Sequence, residues 1–228
     1  MPDSHDSSLQ KGSRTLLAAT IAYALAGLVA LAALGTIPAA SGSGEELSTW
    51  VRANREGIRW GVWAFTVGTP PFAVIAASLR RLLPAPHRDV FIIGAIAYTA
   101  EIAVWSWTWG GLALHADTTS PAVARAVLDV ACYMGPVLTS TTTTMFAPVT
   151  LLALRRQGGF PLWLGILGLV ALVEQAVETI TIFGATGFTQ PGGAMNMQLG
   201  AGLTLLWILA LGAWGGLRGR FPKQVAIA

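Results

Sequence analysis

Charge is scarce in this chain, and so are the residues on which soluble enzymes most often build their sites. Only 11% of residues are Asp, Glu, Lys or Arg, where soluble domains average about 25%, so a solvated globular surface is excluded. The single cysteine, Cys132, has no partner for an intrachain disulfide or a cysteine-based zinc site, and it leaves the redox compartment unread. Three histidines, none in an HxxxH or HExxH pattern, argue against a metal centre, even though His115-Ala116-Asp117 with Glu178 would offer ligands. No metal and no cofactor are expected. Nucleophile elbow, P-loop and dinucleotide fingerprint are all missing, and a Ser-His-Asp triad would need a histidine at depth in the fold. His87-Arg88-Asp89 spells a kinase-like triplet, but no Gly-rich loop or Lys-bearing strand accompanies it. Internal repeats are missing too, and low complexity is confined to Thr139 to Thr144.

Apolar residues fill the space those absences leave. They make up 54% of the 228 residues, and the mean hydropathy is +0.60. The natural solvent for most of this surface is lipid. A net charge of +3 and a pI near 9.5 do not indicate nucleic acid, because the basic residues lie in short clusters between apolar runs, without a basic stripe and interleaved aromatics.

Crossing a bilayer takes about 20 apolar residues, and six segments qualify, near residues 15–37, 60–82, 90–112, 126–154, 161–183 and 198–217. Pro70-Pro71 in the second and Pro136 and Pro148 in the fourth predict kinks. Lys11, Arg14, Arg80, Arg81, Arg88, Arg155, Arg156, Arg218, Arg220 and Lys223 fall on one side of such a bundle. Arg52, Arg55, Arg59 and Arg125 fall on the other. Ten against four places both termini in the cytoplasm, since positive connections are retained there. The expected fold is therefore all-α, a polytopic transmembrane helical bundle of about six spans in the cell membrane. Its domain is residues 14–217, between a disordered tail over 1–13 and a basic cytoplasmic tail over 218–228. The first run is read as a retained helix, because it is longer than the roughly 7 to 15 residues of a signal-peptide core. Between the first two spans, Glu45, Glu46, Leu47, Trp50, Val51, Asn54 and Ile58 suit either a short amphipathic helix on the outer surface or a solvated loop.

Four carboxylates fall inside the expected spans: Glu101, Asp129, Glu174 and Glu178. An ionisable group at the bilayer centre costs at least about 2.5 kcal/mol on insertion scales, so such residues face the bundle interior or a wet cavity. Topology places Glu101 near the midplane, with Asp129 one turn below Arg125 and able to pair with it. Glu174 and Glu178 share a face with Thr181 and call for a shared proton or a cation between them. Asn196 and Gln198 enter from outside. These groups converge on the midplane and the outer half, which predicts a cavity open outward or sideways to lipid.

The stretch Thr99 to Gly111, TAEIAVWSWTWGG, sets tryptophans beside one of these acids. At about 100° per residue, Trp105 and Trp109 share a face with Glu101 while Trp107 points elsewhere. Such a carboxyl suits a general acid or a proton carrier, and indole faces beside it would stabilise a cation. The expected catalytic set is Glu101 as acid with Asp129 or Glu178 as base. The expected substrate-binding set is Trp63, Trp105, Trp109, Tyr133 and Glu174. Packing residues, belt aromatics and interhelical hydrogen bonds account for the same side chains without any activity.

Gly159-Phe160-Pro161-Leu162-Trp163-Leu164-Gly165-Ile166-Leu167-Gly168, directly after Leu151-Leu152-Ala153-Leu154-Arg155-Arg156, resembles small bacterial six-helix membrane proteins grouped only as a domain of unknown function. Ala77-Ser78-Leu79-Arg80-Arg81-Leu82 is similar to the same pattern. The resemblance implies a six-helix bundle and carries no catalytic residues. In outline the chain also resembles small polytopic terpene cyclases, which implies a lipophilic, isoprenoid-like substrate. Three functions stay open: an acid/base enzyme on such a substrate, for example a cyclase or isomerase; a proton-coupled carrier of a small hydrophobic or cationic compound, with Pro70-Pro71 and Pro136 as bending points; and a non-catalytic assembly subunit. The expected partners are the lipid bilayer and a lipophilic small molecule, with no nucleic acid. Gly200 and Gly202 would let the sixth helix pack on a partner, a second copy included.

Overall fold

The computed structural model describes residues 4–35, 37–38 and 41–218, and all regular structure among them is helical. The α-helices are α1 (Ser4–Leu34), α2 (Gly44–Ala53), α3 (Arg55–Arg80), α4 (His87–Leu114), α5 (Pro121–Leu154), α6 (Leu162–Glu178) and α7 (Ala201–Leu217). Short 3₁₀ turns at Thr179–Phe183 and Gly187–Thr189 follow α6, and a π-helical turn at Met195–Gly200 leads into α7. Six helical segments are long and apolar enough to cross a membrane: Gly12–Leu34, Arg55–Arg80, His87–Leu114, Pro121–Leu154, Leu162–Phe183 and Met195–Leu217. This is the architecture of a multi-pass membrane protein. The outward faces are apolar as well, with Leu25, Leu28, Ile93, Ile96, Val130 and Ile166 all exposed, as a surface in contact with lipid requires.

The span boundaries lie within several residues of those read from hydropathy. α1 starts at Ser4, inside the segment read as a tail; residues 1–3 and 219–228 lie outside the described chain. Arg218, the first residue of the expected C-terminal tail, donates from Nη1 to the Gly159 carbonyl at 2.7 Å and lies over the Trp214 ring.

Local sequence explains the helix ends. Ser43 and Glu46 form a reciprocal capping box at α2: Glu46 N–H donates to Ser43 Oγ at 3.1 Å, and Ser43 N–H donates to Glu46 Oε2 at 2.9 Å. At α5, Ser120 caps while Pro121 takes the first helical position, where its missing N–H costs nothing. Of the two sequence readings for this connection, α2 realises the amphipathic helix, but it is docked on the bundle. Leu47 and Val51 are buried in a core with Ile58, Trp105, Trp109 and Leu128.

α5 is the hub, packed against α4, α6 and α2, while α1 packs on α3 and α7. Glycine makes two of these approaches close. A Cβ at Gly94 of α4 would lie 2.5 Å from Met145 N of α5, and one at Gly165 of α6 would lie 2.8 Å from Leu154 N. Small residues at helix crossings let dispersion do what the hydrophobic effect cannot do inside lipid. A second core, containing Leu16, Phe72, Phe91, Met145, Phe146 and Trp207, fills the opposite part of the bundle.

Candidate functional site

Polar side chains inside the bundle gather where α5, α6 and the π-helical turn meet. Glu174, Gln175 and Glu178 end α6 and are buried. Gln175 Nε2 donates to Glu174 Oε2 at 2.7 Å and to Glu178 Oε2 at 3.1 Å, so one amide bridges both carboxylates. Thr142 of α5 donates its hydroxyl to Gln175 Oε1, which orients that amide. From the other side, Asn196 Nδ2 donates to Glu178 Oε1 at 2.5 Å and to Thr181 Oγ1 at 3.2 Å, while Gly192 N–H donates to Asn196 Oδ1 at 3.0 Å. The backbone donor at Gly192 settles which way the Asn196 amide points.

The π-helical turn carries Asn196 at its second residue; such turns displace side chains from the helical register and recur at functional sites. Two glycines make room around it. A Cβ at Gly200 would overlap the Glu178 carboxylate, and one at Gly135 of α5 would lie 3.0 Å from Asn196 Cβ.

Glu178 and Asn196 form the polar end of a cavity of about 340 Å³, within the range that takes a small organic ligand. Tyr23, Phe65, Phe72, Tyr98 and Trp105 supply its aromatic walls. The Tyr23 and Tyr98 hydroxyls lie 3.3 Å apart, and Trp105 stands edge-on to Phe65 with ring centroids 5.1 Å apart. Leu31 of α1, Gln198 of the π-helical turn, and Ala201 and Gly202 at the start of α7 also line the cavity and are themselves exposed. The cavity therefore opens sideways, through the seam between α1 and α7. Each carboxylate oxygen has two lone pairs, and the amides of Gln175 and Asn196 take one on each oxygen of Glu178. Glu178 lines the cavity, so a ligand seated there meets a carboxylate.

Of the expected catalytic residues, only Glu178 lines this cavity. Glu101 is half-buried and turns to α5, where Thr141 Oγ1 donates to its Oε2 at 2.8 Å; it is not among the cavity-lining residues. The reason is local. Trp105, one turn on, is buried against Phe65 and Trp109, while the Thr141 hydroxyl offers Glu101 a donor within its own reach. Asp129 is paired with Arg125, whose Nη1 also donates to the Gly42 carbonyl at 2.6 Å. That pair ties the end of α5 to the chain before α2.

Of the expected binding residues, Trp105 lines the cavity. Trp109 is buried above it, edge-on to Trp50 with centroids 5.8 Å apart. Trp63 is 51% exposed and stacks edge-on with Trp60, and Tyr133 is 47% exposed; neither reaches the cavity. Glu174 lies behind Glu178, and its Oε1 is buried without a hydrogen-bond partner. Trp107, the odd member of the alternate trio, is 72% exposed. A Cβ at Gly200 would meet the Glu178 carboxylate, while one at Gly202 would meet open space.

Tyr23, Tyr98, Gln175 and Gly135 were not singled out by sequence. A glutamine between two glutamates of one apolar helix was the available signal for Gln175; the tyrosines offered none, because belt and packing tyrosines look the same. The hydroxyl tract Thr139 to Thr144 serves as cross-linking, with most of its hydroxyls bonded back to α5 carbonyls and only Thr141 and Thr142 reaching other helices. Among the described residues no group of three or more His, Cys, Asp or Glu is placed to hold a metal ion. Asp117 pairs with Arg55 at 3.0 Å.

Together these features define a multi-pass helical bundle with a laterally open, acid-bearing aromatic cavity. Comparison with protein-family models, curated proteins and solved structures finds no match.

Proposed function

We propose that the protein is a carrier, in the cell membrane with both termini cytoplasmic, for a small lipophilic cation or protonated amine that enters from lipid and exchanges against a proton at Glu178. The observation that carries this reading is the pairing of one carboxylate with aromatic walls in a single laterally open cavity. An aromatic face attracts a cation by about 2 kcal/mol or more when both are desolvated, and a carboxylate at the end of the wall supplies the counter-charge. Both oxygens of Glu178 already accept amide hydrogen bonds, which suits a carboxylate that pairs with a positive charge. The helices around the cavity include α3, which carries Pro70-Pro71 within it, and α5, with Pro136 next to Gly135, and these are natural bending points for alternating access.

The test is a pair of isosteres. Benzyltrimethylammonium and neopentylbenzene have the same shape and differ by one charge. Purified protein should bind the cation at least about tenfold more tightly, and Glu178→Gln should remove that preference. Equal affinities in the wild type, or a preference that survives Glu178→Gln, defeat the proposal. In liposomes, cation uptake should move protons the other way, and this should stop in the same variant.

A second reading, an acid/base enzyme on an isoprenoid-like substrate, draws support from the paired Tyr23 and Tyr98 hydroxyls in the same cavity. They would provide a second proton-transfer group facing Glu178's ligand. A product mass in lipid extracts incubated with wild-type membranes, absent with Glu178→Gln, would favour this reading over transport.

A further inference from the structure

A second depression, of about 760 Å³, follows the seam between α3 and α4. Its floor is rich in alanine: Ala73 and Ala77 from α3 and Ala100 and Ala103 from α4 form a trough between the two helices. Elsewhere the lipid-facing surface carries bulky side chains such as Leu25, Leu28, Leu31, Val170 and Val173. One end of the trough is strongly basic. Arg80 and Arg81 close α3, and Arg88 opens α4, all three lining the depression. Arg88 shares its charge with Asp89, its Nε donating to Oδ1 at 3.1 Å. Arg80 and Arg81 are exposed and make no ion pair among the described residues. Three guanidinium groups thus meet one carboxylate.

Depth matches as well. From Ile92 to Ala103 the groove follows α4 for eleven helical rises, about 16 Å at 1.5 Å per residue, and one leaflet of a bilayer's hydrocarbon core is about 15 Å deep. The arginines then sit at headgroup level, where basic side chains meet anionic lipid.

We propose that this groove seats an acyl chain of an anionic phospholipid whose phosphate is held by Arg80, Arg81 and Arg88. The alanines leave the volume of the chain, and the guanidinium forks match phosphate oxygens in pairs. The site is separate from the cavity at Glu178, sharing only Phe72 and Thr99 on its border, so it stands or falls independently of the carrier reading.

The experiment is native mass spectrometry of the full chain released from detergent after equilibration with phosphatidylglycerol, with phosphatidylcholine of the same acyl chains, or with inorganic phosphate. Phosphatidylglycerol should be retained about tenfold over phosphatidylcholine, a ratio within what two unpaired arginines supply at the membrane surface. Arg80→Gln with Arg81→Gln should erase that ratio. Ala77→Leu with Ala100→Leu, at exposed positions outside the packed core, should reduce retention of both lipids. Equal retention of the two lipids by the wild type overturns the proposal. So does a preference that survives Arg80→Gln with Arg81→Gln, unchanged retention of both lipids in Ala77→Leu with Ala100→Leu, or inorganic phosphate displacing phosphatidylglycerol.

Discussion

Replacing Asn196 with alanine removes one side chain and three hydrogen bonds, and the consequence can be worked out bond by bond. Gly192 N–H loses its acceptor, Glu178 Oε1 loses a donor at 2.5 Å, and Thr181 Oγ1 loses a donor at 3.2 Å. Thr181 keeps its own bond to the Glu178 carbonyl at 2.8 Å and suffers least. Interhelical hydrogen bonds inside membranes average about 0.6 kcal/mol and reach about 1.7, and a buried group left unpaired costs about 1–3 kcal/mol, more when charged. Glu178, 4% exposed, is such a group. The sum for Asn196→Ala is a loss of about 2–4 kcal/mol, most of it at the Glu178 oxygen. Asn196→Asp has the same shape and keeps the acceptor for Gly192, but it aims an oxygen at an oxygen, so it should destabilise at least as much as alanine. Equilibrium unfolding in mixed micelles measures both. A double-mutant cycle with Glu178→Ala should return a coupling of about 1–3 kcal/mol. If Asn196→Ala costs less than about 0.5 kcal/mol, which is ordinary for a surface change, or the cycle shows no coupling, the network is not what holds Glu178 in place.

Glu101→Gln keeps an oxygen for the Thr141 hydroxyl and touches nothing in the cavity, so it should change stability by less than about 1 kcal/mol and leave benzyltrimethylammonium affinity at the wild-type value in the same titration. A large loss of binding there would return Glu101 to the site. Gly200→Ala drives a methyl into the Glu178 carboxylate and should weaken cation binding, whereas Gly202→Ala has open space at the cavity mouth and should not; titrating both variants with one probe separates a local clash from a general effect on α7. Trp105→Ala should cost about 3–5 kcal/mol of stability, as deletion of a buried aromatic does. Trp63→Ala, half-exposed with Trp60 as its ring partner, should cost about 0.5–1.5 kcal/mol, and unfolding in the same micelles ranks the two.

How far the sequence could be read depended on whether a feature is local to one helix or requires two. The six spans, the buried sides of Trp105 and Trp109 and the shared face of Glu174 and Glu178 follow from apolar run length and the helical period, both properties of a single segment. The same holds for the Arg125–Asp129 pair, four residues apart on one helix. Which acid faces the cavity is a different kind of fact. Glu101 sits among tryptophans in the chain, and that neighbourhood suggested a pocket acid, yet sequence neighbours on a helix point around the whole circle. What decides the matter is the Thr141 hydroxyl on α5, forty residues away, and no periodicity within α4 encodes it. Glu178 reaches the cavity because Asn196 and Gln175 hold it from two sides and because Gly200 has no side chain to fill the space. A glycine that admits a carboxylate and a glycine that admits a neighbouring helix are identical in sequence, and Gly200 read as a packing residue for that reason. In a chain whose exterior and interior are both apolar, burial contrast cannot show which face of a helix turns inward, so the few polar side chains carry that information only as pairs across helices.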